Sequence, residues 1–234
     1  MEEKAAAFAD AGFKVWMTDA NNLDLAFRHG MFMMARAVER LPRLAAGQDP
    51  RRLEQWKQLY TEEMKKKAAH PALLGYFISD EPAWRGIPPE PLLESYQFIR
   101  SIDPYKPVML NEAPRGRIAD LRAYVNAFDI YGVDIYPVPA PGNHSALSDK
   151  MMTAVGKYTD ICREVVEERK PVWMTLQGFS WEVITGKSDT VFPSHKENRF
   201  MAYNALLHGA TGLFCWGFCR RIMISGWNEF FCRC

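Results

Sequence analysis

Two adjacent acids followed by a proline close the short apolar run in "GYFISDEPAW", Gly75 to Trp84. Charges at the end of a buried strand are costly unless they have a task, and a carboxyl in a partly apolar setting can hold a proton at neutral pH and deliver it. Asp80 and Glu81 are therefore the first candidates for chemistry. Other polar residues close apolar runs farther along: Asn111 in "PVMLNE", Asp134 and Tyr136 in "IYGVDIYP", Gln177 in "PVWMTLQGF" and Trp216 in "TGLFCWGF". Arg36 ends an early run, "MFMMAR".

These runs alternate with amphipathic stretches. A first helix, "MEEKAAAFADAG", precedes "FKVWMT", and helices are expected in "LDLAFRHG", "RRLEQWKQLYTEEMKKKAA", "PPEPLLESYQFIRSI", "IADLRAYVNA", "SDKMMTAVGKYTDICREVVEER" and "HKENRFMAYNALLHG". Seven strand-like runs with helices between them, about 30 residues to a unit, predict a parallel sheet with crossover helices. No Gly-rich phosphate turn follows the first strand, which argues against an open doubly wound sheet. The expectation is a TIM (β/α)8 barrel lacking its first strand and its closing helix, over residues 1–218, with an irregular tail over 219–234.

In such a barrel alternate strand residues point inward, and chemistry sits at the C-terminal strand ends. Strand parity turns Leu74, Tyr76 and Ile78 toward the helices and Phe77, Ser79 and Glu81 inward. It sends Asp80 outward as a structural acid and also puts Glu112 on the outer parity. Trp173 and Thr175 face inward on their strand, and Glu81, Asn111, Asp134, Tyr136, Gln177 and Trp216 converge on the mouth. Arg36 is placed to pair with Glu81 or to touch substrate, with pairing favoured.

Composition narrows the partners. With 29 basic against 28 acidic residues there is no net field favouring nucleic acid. No window is long and apolar enough to cross a membrane. The five histidines and five cysteines lack metal-site spacing, so neither a metal nor another cofactor is expected. The first residues do not read as a signal peptide, which leaves the compartment open.

"HPALLGYFISDEP", "YGVDIYPV", "KPVWMTLQGF" and "NRFMAYNALLHGATGLFCWG" together resemble the catalytic barrel of glycoside hydrolases of the large retaining (β/α)8 clan. Within it they are most similar to a β-galactosidase-like bacterial branch, over about Phe13 to Phe218. The resemblance implies hydrolysis of O-glycosidic bonds in a carbohydrate substrate, in an exported, polysaccharide-degrading role. Glu81 would be the general acid/base. Asn111, Tyr136, Gln177, Trp216 and Arg36 would bind substrate, Trp216 offering its ring to a sugar.

The clan's nucleophilic glutamate falls where this chain has Gln177, and an amide cannot do that work. Asp134 is the foremost substitute and Glu182 the second, with Glu112 and Glu229 behind them. A separation from Glu81 of about 5 to 5.5 Å would support retention, and about 6.5 to 9.5 Å inversion. The loss of the glutamate also keeps open a carbohydrate-binding barrel without turnover, and a barrel enzyme of other chemistry such as a lyase.

Overall fold

A computed structural model of the protein describes residues 1–43, 49–113, 116–141, 149–181 and 191–217. Glu182, Glu229 and the tail over 219–234 lie outside them. Seven strands form one sheet in chain order, every neighbouring pair parallel: β1 (Val15–Thr18), β2 (Phe32–Arg36), β3 (Leu73–Asp80), β4 (Val108–Glu112), β5 (Ile130–Asp134), β6 (Val172–Gln177) and β7 (Gly212–Trp216). The helices among the described residues are α1 (Glu2–Asp10), α2 (Leu23–Arg28), α3 (Arg51–Ala68), α4 (Pro89–Ile102), α5 (Ile118–Arg122), α6 (Ala154–Val165) and α7 (His195–Leu207). β1 does not pair with β7, yet Val15 and Met17 line the same cavity as Phe214 and Trp216. The sheet thus curls back on itself as an incomplete β/α barrel.

Two helix ends show the signals their sequences carry. Ser194 and Glu197 form a reciprocal capping box at the start of α7, satisfying two backbone N–H groups that the first turn leaves free. Lys65, Lys66 and Lys67 fill the last turn of α3, where the helix dipole favours cations. "IADLRAYVNA" does not run as one helix; it breaks into α5 and a 3-10 turn over Val125–Ala127. The long stretch before β6 is helical only from Ala154 to Val165.

Two apolar layers fix the sheet. The outer layer packs Tyr76, Leu110, Tyr131, Val133 and Met174 against Ile99, Val155 and Cys162 of the helices. The inner layer is smaller, with Met34, Phe77, Met109 and Ile130 buried and Leu74, Trp173 and Phe214 packed on them. Leu74 was expected on the helix side. It packs inward because the β2–β3 register is irregular, pairing Met33 with Leu73 but Met34 with Gly75.

Gly132 of β5 faces this inner layer, and a Cβ there would lie 2.5 Å from Met109 Cε and 2.9 Å from Asn111 Oδ1. Both neighbours are buried, so neither can step aside freely. Gly132→Ala should lower unfolding free energy by about 1–3 kcal/mol through overpacking, read from the midpoint of a urea titration at unchanged slope.

Candidate active site

The C-terminal ends of β3, β4 and β5 bring three carboxylates and an amide together. Asn111 is buried at the end of β4 and donates from Nδ2 to Asp80 Oδ1 at 3.0 Å and to Asp134 Oδ1 at 2.8 Å. Its Oδ1 accepts from the Thr175 hydroxyl at 3.3 Å, which fixes the amide's orientation. Asp134 is also hydrogen-bonded to the Glu81 carboxyl and accepts from the Tyr136 hydroxyl. Glu81 and Asp134 thus meet side chain to side chain at the mouth.

The electrostatics follow from this crowding. Burial, and then the charges of Glu81 and Asp80, push the Asp134 carboxyl well above the usual carboxylate range, against the opposing pull of Asn111. Like charges in hydrogen-bond contact cannot both ionise cheaply, so the pair favours holding one proton between its two carboxyls. Tyr136 is likewise driven up by burial and by the Asp134 charge, and it stays a neutral donor.

Asp80 does not face the helices. The β3–β4 register shifts between Phe77 and Ser79, so that Ser79 lies opposite Leu110 and Asp80 opposite inward-facing Asn111. This irregularity reverses the parity of the strand end and brings Asp80 into the mouth, where it is exposed. Glu81 still reaches the mouth, because its backbone turns into the left-handed region at φ 46. Ser79 instead donates to Glu39, which also pairs with Arg85 at 2.7 Å.

Beyond the acids an aromatic wall rises. Tyr136 stacks with Trp216 at 5.8 Å between ring centroids, and Phe179 meets Trp216 edge-on at 4.7 Å. Trp181 packs edge-on against Tyr136 and Phe179. Trp216 is 46% exposed and so has free ring surface for a ligand. Alongside lies a cavity of about 160 Å³ lined by Val15, Met17, Arg36, Thr175, Phe214 and Trp216 among others. Arg36 is exposed, with its guanidinium over the Phe77 ring at 5.6 Å, and it makes no ion pair among the described residues.

Gln177 and Glu112 are engaged elsewhere. Gln177 is fully buried; its Oε1 accepts from Val138 N–H at 2.9 Å while its Nε2 donates to the carbonyls of Val138 (2.9 Å) and Phe179 (3.1 Å). The amide therefore ties the segment after β5 to the end of β6. Glu112, buried on the outer side of β4, accepts at Oε2 from Ala83 N–H at 3.2 Å and also from Trp84 N–H. Burial outweighs these bonds and, with the charges of Glu81 and Asp80, pushes its carboxyl up to about 8. Asp80 was singled out from sequence but sent outward by parity, a misplacement due to the register shift; Phe179 and Trp181 were not singled out, and lie just past a strand end, where parity gives no guide.

No protein-family model matches the chain, and no curated protein matches it in sequence. Solved structures share its fold. A β-galactosidase from the psychrophilic Marinomonas ef1 matches with a TM-score of 0.65 at 11% identity, over 92% of this chain and 51% of that one. A β-D-glucuronidase of Dictyoglomus thermophilum matches with a TM-score of 0.55 at 16% identity, over 93% and 40%. A family 5 mannosidase of Rhizomucor miehei matches with a TM-score of 0.62 at 11% identity, over 93% and 75%. The chain spans about half or less of the β-galactosidase and β-glucuronidase chains. With these glycosidases the chain shares a β/α-barrel fold.

Two consequences are measurable. Gln177→Glu leaves two backbone carbonyls facing a carboxylate that cannot donate to them, and should cost at least about 1–3 kcal/mol of stability in chemical denaturation. For Glu112, whose folded value lies above the ordinary 4.5, the native state binds the extra proton between about pH 4.5 and 8. Its contribution to stability is therefore lost as pH rises through that window, by a few kcal/mol at most. Glu112→Gln should flatten that part of the stability profile.

Proposed function

We propose that this chain carries the catalytic barrel of a glycoside hydrolase that cleaves O-glycosidic bonds, with Glu81 and Asp134 acting as a proton-sharing carboxyl pair. The observation that carries this reading is the direct hydrogen bond between the two carboxyls at the C-terminal strand ends, beside an exposed tryptophan face. The fold it shares with a β-galactosidase, a β-D-glucuronidase and a mannosidase supports a carbohydrate substrate.

In this reading Glu81, the less buried member of the pair, delivers the shared proton to the leaving oxygen, which takes the electron pair of the glycosidic bond as it breaks. A water then bonds to the anomeric carbon and returns its proton to the carboxyl pair. Asp134 holds that proton in place beforehand, oriented by Asn111 and Tyr136. Asp80 adds negative charge facing the positive ring that develops in the transition state, and Asn111 positions it. Trp216 offers a flat apolar face to the sugar, and Arg36 reaches hydroxyls or a charged substituent from the cavity side.

A second reading, a carbohydrate-binding barrel without turnover, is favoured by Gln177. Its amide is committed to backbone groups where the resemblance expects a nucleophile.

A panel of aryl glycosides separates the two. Turnover that falls on the order of 10²-fold or more in Glu81→Gln, with sugar binding retained, supports the hydrolase; binding without turnover in the unmutated chain supports the other. Because the pair must hold its proton to act, activity should fall as pH rises past the ordinary carboxylate range. Asp134→Asn should move that alkaline limb to lower pH.

A further inference from the structure

Glu81 occupies a backbone conformation that a non-glycine residue adopts only when its surroundings enforce it: φ is 46, in the left-handed region. The groups that enforce it come from the end of β4. Glu81 N–H donates to Asn111 O at 2.7 Å, and Ala83 N–H, two residues on, donates to Glu112 Oε2 at 3.2 Å. Trp84 N–H reaches the same carboxyl. The turn then closes on itself, with Arg85 N–H donating to Glu81 O at 2.9 Å and Ile87 N–H to Pro82 O at 2.9 Å.

Glu112 is the costly part of this arrangement. It is 0% exposed, it lies on the outer parity of β4, and its Oε1 has no hydrogen-bond partner among the described residues. The Tyr131 hydroxyl, which senses the Glu112 charge, also lacks a partner among the described residues. A position that served packing alone would favour an apolar residue of similar size, since burying a half-satisfied carboxyl gains nothing there. The two backbone donors it satisfies belong to the turn that aims Glu81.

We propose that Glu112 is a positioning residue for Glu81: by accepting from the N–H groups of Ala83 and Trp84 it locks the turn that holds the Glu81 carboxyl against Asp134. It acts through the backbone and does not touch substrate. The catalytic consequence rests on the hydrolase reading, whereas the geometric one does not.

The test compares Glu112→Met, which fills the site without an acceptor, with Glu112→Gln, whose carbonyl oxygen still accepts. The first readout is the titration of the side-chain carboxyls in the full chain labelled with 13C at Glu and Asp. In the unmutated protein and in Glu112→Gln, the Glu81 and Asp134 resonances titrate as a coupled pair in two shared steps. In Glu112→Met they separate into two independent single-step curves. Coupling that survives in Glu112→Met overturns the proposal, as does its loss in Glu112→Gln.

The second readout is turnover against leaving-group ability. Glu112→Met is expected to lose on the order of 10²-fold in kcat on glycosides of poor leaving groups, with KM little changed and a much smaller loss on a dinitrophenyl glycoside, whose departure needs little protonation. Glu112→Gln should stay within about threefold of the unmutated protein on both, far from that misalignment loss. Uniform losses on both substrates in Glu112→Met overturn the catalytic consequence. Glu81→Gln serves as the reference: if it lacks the leaving-group pattern, the role given to Glu81 fails, while the 13C titration still decides the role of Glu112.

Discussion

One amide holds the mouth together. Asn111 divides its two N–H donors between Asp80 and Asp134, carboxylates on the two strands flanking its own. Without such a donor, acids gathered at one strand end would repel and turn away toward water. With it, each carboxyl accepts a fixed bond, and the remaining charge is eased where Asp134 and Glu81 share a proton. The inner face is shaped around this amide: Gly132 lacks the Cβ that would collide with it, and Thr175 donates to its oxygen so that the nitrogen faces the acids.

Support for the mouth comes from two side chains that bind no other side chain of the carboxyl cluster. Gln177 and Glu112 both end strands, both are fully buried, and both spend their side chains on the backbone of the segments leading away from the mouth. The chemistry of each fits that work. Clamping Val138 and Phe179 takes one acceptor and two donors, which an amide has and a carboxylate lacks. Holding Ala83 and Trp84 takes an acceptor only. A glutamine at the end of β6 is accordingly a structural solution in its own right.

Much of this was legible in the residues. Period-two alternation located all seven strands, and in the regular strands β4, β5 and β6 parity sorted inner from outer side chains, because nothing there interrupts the pleat. It failed on β3, where one irregularity carries Leu74 inward and another turns Asp80 into the mouth. A shift of one residue exchanges the faces of everything beyond it, and no residue type in "LLGYFISDE" signals where the shift falls. The pairing of Arg36 with Glu81 was misjudged for a related reason. Opposite charges on one face suggest an ion pair, but Glu81 is drawn into the carboxyl cluster and Arg36 lies over Phe77.

The contrast between the two buried acids clarifies what burial is for. Asp134 and Glu112 are both raised chiefly by desolvation, yet they stand on opposite sides of the sheet. On the mouth side the raised carboxyl has another carboxyl within hydrogen-bond reach, so its proton lies where a ligand could take it through Glu81. On the helix side the raised carboxyl meets the backbone N–H groups of Ala83 and Trp84, which can take no proton from it. The same physical term thus yields a mobile proton in one place and a fixed acceptor in the other. What separates them is the partner that the end of β3 presents: its side chain at Glu81 and its backbone at Ala83.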